Sequence, residues 1–94
     1  MDRKELAAAV RESVRAFAQQ VPGRSVELRV PPFVAVQCVE GPRHTRGTPP
    51  NIVETDAATW LALADGTLAW STAIADGRVS ASGPRSDLSA YLPL

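Results

Sequence analysis

Cysteine is nearly missing from this chain of 94 residues. Cys38 is the only one, so no internal disulfide can form and a secreted, disulfide-stapled design is excluded. Net charge is missing too. Ten basic and ten acidic side chains cancel, which leaves no long-range field of the kind that gathers nucleic acid or an anionic membrane; nucleic acid is not expected as a partner. No apolar run approaches the ~20 residues of a membrane span. The first residues alternate charge with alanine instead of forming a signal peptide, so the expected location is the cytoplasm. Lysine occurs once, at Lys4, against nine arginines, and with abundant Ala, Val, Gly and Pro this usage fits coding from a GC-rich bacterial genome. There is no internal repeat, low-complexity tail or flexible linker. What remains is a single domain over residues 1–94. A chain of this size has one core and buries roughly 60 to 65% of its unfolded surface.

From Asp2 to about Gln20 the apolar positions Leu6, Val10, Val14, Phe17 and Val21 follow the spacing of one helical stripe, with alanines raising helix propensity and Val21-Pro22-Gly23 stopping the helix. Arg3, Arg11, Glu12 and Arg15 lie off the stripe. That mixture of signs suits a helix packed on a sheet better than one lying on a membrane surface. Val26, Leu28 and Val30 then alternate with Glu27 and Arg29, which predicts a strand with one wet face. A second strand over Phe33 to Glu40 carries Val34, Val36 and Cys38 on one face. The Pro31-Pro32 turn between them predicts an antiparallel pair, and the parity of Cys38 predicts an inert, buried thiol.

The loop from Gly41 to Asn51 holds three prolines and two glycines. Arg43, His44, Thr45 and Arg46 concentrate there the one local excess of positive charge. Two readings stay open. Paired Arg donors with an imidazole and a hydroxyl match a carboxylate or phosphate; alternatively the loop is stiff and solvated, its arginines paired with Glu40, Glu54 or Asp56.

Residues 56–92 are punctuated into short elements, none able to bury an apolar face alone. Asn51 to Thr55 is a third strand, and Thr55-Asp56 offers N-cap oxygens for a helix from about Ala57 to Ala64 that carries Trp60, Leu61 and Leu63 and stops at Asp65-Gly66. Leu68 and Trp70 lead into a second short helix with Ala73, Ile74 and Ala75, stopped by Asp76-Gly77. Val79, Ala81 and Gly83 alternate with serines as a weak fourth strand. A final helix, starting at Gly83-Pro84 or Ser86, places Leu88, Tyr91 and Leu92 on one side and stops at Pro93. The expected fold class is α+β, with a mostly antiparallel sheet of four or five strands and helices gathered on one face.

Thr55-Asp56, Thr59-Trp60-Leu61-Ala62-Leu63, Gly66-Thr67-Leu68, Ala73, Gly77-Arg78-Val79, Gly83 and Leu88 together resemble the carboxy-terminal half of sterol carrier protein type 2 domains. The run Arg43 to Asn51 looks like a small bacterial branch of sterol-carrier-like proteins. The resemblance covers most of the chain. It implies a curved sheet whose helices cover an apolar tunnel for fatty acyl chains, sterols or similar lipids. The family's ligand positions would fall on Phe17, Trp60, Leu63, Trp70, Ile74, Leu88, Tyr91 and Leu92. In a chain shorter than most members those side chains either line a tunnel or fill it as ordinary core.

Two functions follow as expectations. The first is non-catalytic binding of a lipid-like small molecule, its tail under the helices and its head group near Arg43, His44 and Arg46. The second is an interaction module with a filled core, docking a partner protein or a second copy through loop 41–51 or a sheet edge. An enzyme is not expected: Cys38 and His44 would pair only if the strand-end thiol turned outward. No metal or cofactor is expected either, since the spaced Cys/His motifs of metal sites are not there.

Overall fold

The computed structural model describes residues 1–42 and 51–94. The expected anion-binding residues Arg43, His44, Thr45 and Arg46 lie outside the described residues.

Helix α1 spans Arg3–Gln20 and starts at a capping box. The Asp2 carboxylate accepts the Glu5 N–H at 2.8 Å, and Glu5 reaches back to the Asp2 N–H at 3.5 Å. Ala7, Val10, Val14 and Phe17 form its buried stripe. Among the described residues there are four strands, β1 (Val26–Val30), β2 (Val34–Cys38), β3 (Asn51–Thr55) and β4 (Val79–Ser82), of which the first three follow the expected hydrophobic alternation. Their order in the sheet is β2-β1-β3-β4. β1 pairs antiparallel with β2, in the register Val26 with Cys38 and Val30 with Val34. β3 lies parallel to β1 on its other side, Leu28 beside Val53, and β4 closes the sheet antiparallel to β3. Two of these three pairings are antiparallel, so the sheet is mixed and mostly antiparallel, and the fold is α+β.

Register decides which face is dry. Val26, Leu28, Val30, Asn51, Val53 and Thr55 share one face and are all buried. Glu27, Arg29, Ile52, Glu54, Ser80 and Ser82 share the other, where none is buried. The helical residues of the core cluster join the dry face: Val10, Val14 and Phe17 from α1, and Ala57, Trp60, Leu63 and Ala64 from α2 (Ala57–Asp65). α3 (Trp70–Ala75) adds Ala73. The helices are therefore gathered on one face, as expected.

Asp56 caps α2 through its bonds to Thr59, and Gly66 ends it at φ 85°. The expected final helix is absent. Between Pro84 and Pro93 the chain makes only a single 3-10 turn, Ser89–Tyr91. Ser86 donates its hydroxyl to the Gly83 carbonyl at 2.8 Å, and Asp87 accepts the Ser89 N–H at 2.9 Å. These local bonds satisfy groups that a helix needs for its own ladder, in a segment too short to nucleate one cheaply. Leu88 is nonetheless fully buried. The alternation expected for the fourth strand also stops early: only Val79 of β4 is buried.

Candidate functional site

The carboxy-terminal segment folds back over the end of α2. Its last N–H, on Leu94, donates to the Ala64 carbonyl at 2.9 Å. Pro93 lies close against Gly66, where a β-carbon would stand 3.4 Å from the ring. The α2–α3 connection is held as tightly: Asp65 accepts both the N–H and the hydroxyl of Thr67, at 2.9 and 2.6 Å, and the Leu68 N–H donates to the Ala62 carbonyl. This turn is fixed by its own side chains, and its Leu68 and Ala69 line one gap together with Leu92 and Pro93 of the carboxy-terminal segment.

That gap is a cleft of about 500 Å³, within the usual size range of small-molecule sites. Leu63, Leu68, Trp70, Leu92 and Pro93 supply its apolar surface. Ser71, Asp87 and Ser89 supply polar groups. The hydroxyl and N–H of Ser89 hold the Asp87 carboxyl below the ordinary carboxylate range, so it is ionised at neutral pH.

Of the eight expected ligand positions three lie in the core, three line the cleft and two do neither. Phe17, Trp60 and Leu88 are fully buried and packed. The Phe17 ring meets the edge of Trp60 at 5.5 Å and of Tyr91 at 6.4 Å, geometries that favour aromatic pairs. Leu63, Trp70 and Leu92 line the cleft. Ile74 and Tyr91 are about 40% exposed and lie outside its lining. Sequence reasoning missed Gly66, Leu68, Ala69, Ser71, Asp87, Ser89 and Pro93. Two signals bore on them: the Asp65-Gly66 stop, which turns the chain sharply, and Pro93, read as a helix stop when it is a wall.

Cys38 is buried, and burial pushes its thiol up to about 11, so its thiolate is scarce at neutral pH. Among the described residues no group of three or more His, Cys, Asp and Glu side chains is placed to hold a metal ion. Nor does any described helix have the length and apolarity to cross a membrane.

A search against curated proteins finds no match for this chain. The family model described as a bacterial SCP ortholog matches residues 2–94. That span takes in every element from the Asp2 cap to the wall formed by Leu92 and Pro93. With a mixed four-stranded sheet carrying its helices on one face, the chain belongs to the bacterial SCP ortholog family, a sterol-carrier-like branch.

Proposed function

We propose that this domain binds the alkyl part of an amphipathic, lipid-like molecule without transforming it, and that the cleft between α2, α3 and the carboxy-terminal segment is where the alkyl part lies. The observation that carries the reading is a cleft with a largely apolar lining, Leu63, Leu68, Trp70, Leu92 and Pro93, on a sterol-carrier-like scaffold. Packing favours this site over the family's tunnel. The ring of Phe17 and the side chains of Trp60 and Leu88 occupy the space beneath the helices at 0 to 1% exposure, and a side chain already in van der Waals contact on all sides leaves no room for a tail. Native mass spectrometry of freshly purified protein tests the reading, together with titration of a neutral fluorescent alkyl probe. Co-purifying lipid, or saturable probe binding lost in a Leu68→Arg variant, is expected. The absence of both co-purifying lipid and saturable probe binding would remove the proposal.

A second reading rests on β4. Among the described residues it is the last strand of the sheet and pairs only with β3, and Ser80, Ala81 and Ser82 are all exposed. An edge of this kind can add a strand from a partner or a second copy. Light scattering across a concentration series, with Ser82→Pro as the variant that interrupts added pairing, distinguishes a self-associating edge from an inert one.

A further inference from the structure

We infer that the cleft selects amphiphiles whose head group is cationic or uncharged, an alkylammonium or a long-chain alcohol, and discriminates against free carboxylates. The inference rests on the alkyl-binding reading and concerns the other end of the ligand. Among the described residues Asp87 is the one charged side chain in the lining. Among the described residues no arginine, lysine or histidine contributes to that lining. Asp87, Ser71 and Ser89 are the polar side chains of that lining, and Asp87 accepts the Ser89 N–H, so the head group of a tail lying on Leu68, Trp70 and Leu92 meets a carboxylate and serine hydroxyls.

The chemistry of those groups sets the sign. An ionised carboxylate accepts hydrogen bonds and donates none, whereas a hydroxyl does both. Asp87 uses Oδ1 to accept the Ser89 N–H at 2.9 Å. An ammonium or hydroxyl head has protons to offer such a carboxylate; a carboxylate head has none and carries the same charge. The first turn of α3 also borders the cleft, and its partial positive charge favours an anion. For a helix of six residues that partial charge, at most about half an elementary charge, is smaller than the full charge on Asp87. Asp87 is exposed, so solvent moderates both attraction and repulsion.

Isothermal titration calorimetry with dodecylamine, dodecanol and dodecanoate at pH 7 and low ionic strength, each below its micelle concentration, tests the inference on the intact chain. The amine is expected to bind about 3- to 10-fold more tightly than dodecanoate, the scale of exposed ion-pair attraction and repulsion combined. Dodecanol should fall between them. The amine-to-carboxylate ratio should shrink at 0.5 M salt and collapse to near one in Asp87→Asn, a variant whose amide oxygen still accepts the Ser89 N–H and whose folding is checked by circular dichroism. Dodecanoate binding as tightly as dodecanol, or a ratio unchanged in Asp87→Asn, overturns the head-group inference and leaves alkyl binding standing. Failure of all three ligands overturns the alkyl-binding reading, and the inference falls with it.

Discussion

The indole N–H of Trp60 donates to the Ser13 hydroxyl at 2.8 Å, and that hydroxyl donates in turn to the Val10 carbonyl at 3.1 Å. One short relay thus ties α2 to α1 beside the Phe17 ring. Trp60 is 1% exposed, and its indole N–H finds its partner in the Ser13 hydroxyl. Ser13→Ala leaves a buried donor unpaired and is expected to cost about 1 to 3 kcal/mol in urea denaturation. Ser13→Thr keeps the hydroxyl and should retain most of that stability. Equal losses in the two variants would show that the hydroxyl contributes nothing.

The two tryptophans report on different places. Trp60 is sealed in the core, whereas Trp70 is half-buried on the cleft wall. In Trp70→Phe the remaining emission is expected to be blue-shifted and poorly quenched by acrylamide. In Trp60→Phe it should be quenched readily and should shift when an alkyl ligand enters the cleft. A ligand-induced shift confined to the Trp70→Phe protein would place the ligand in the core and contradict the cleft reading.

Much of this arrangement was legible in residue order, for a physical reason: local signals need only their neighbours. Asp56, Gly66 and Gly77 fixed the bounds of the short helices, and the alternation of Val26, Leu28 and Val30 fixed the dry face. Features made by distant residues were not legible. Nothing near Ser13 in sequence announces Trp60, which lies 47 positions away, and nothing near Asn51 announces that its amide donates to the Ser25 carbonyl at 2.7 Å and accepts the Arg85 N–H at 2.8 Å. The missing last helix has another cause. Leu88, Tyr91 and Leu92 have helical spacing, but the Ser86 hydroxyl bonds the Gly83 carbonyl and the Asp87 carboxylate accepts the Ser89 N–H, and apolar spacing does not register that competition. The cleft combines both effects, since Asp87 and Pro93 reach it only because the chain turns there instead of continuing as a helix.

Asp56 ties stability to acid pH. The Thr59 hydroxyl, at 2.5 Å, lowers its carboxyl below the ordinary range; partial burial opposes the shift, and the Thr59 N–H adds to it. A folded-state value below the unfolded one, ~3.9, means that the stabilisation is present above about pH 4 and is lost as pH falls through the folded value. Asp56→Ala is expected to cost about 1 kcal/mol at pH 7, the usual loss of an N-cap. The gap between variant and parent should close as pH falls below about 4. A gap independent of pH down to 2 would assign the loss to something other than the carboxylate.

Of Gly23, Gly41, Gly66 and Gly77, Gly23 has the least room for a side chain. Its φ is 150°, and a β-carbon there would stand 2.1 Å from the Val39 carbonyl oxygen. That oxygen accepts both the N–H and the hydroxyl of buried Ser25, at 3.1 and 2.7 Å. It belongs to a residue that is itself buried and held at φ 63°, a conformation costly for a β-branched side chain. The carbonyl cannot retreat without breaking those bonds. Gly23→Ala is therefore expected to cost at least about 3 kcal/mol, the sum of backbone strain and disrupted buried hydrogen bonds. Gly77 is the control. Its φ is 73° and nothing lies within 4 Å of its β-carbon position, so Gly77→Ala carries the left-handed backbone penalty alone, about 1 to 2 kcal/mol. For a domain of this size each kcal/mol moves the midpoint by roughly 4 to 8 °C. Thermal unfolding should accordingly separate the two variants clearly, with Gly23→Ala the lower; equal midpoints would mean that the chain from Pro22 to Ser25 shifts to accommodate the methyl group.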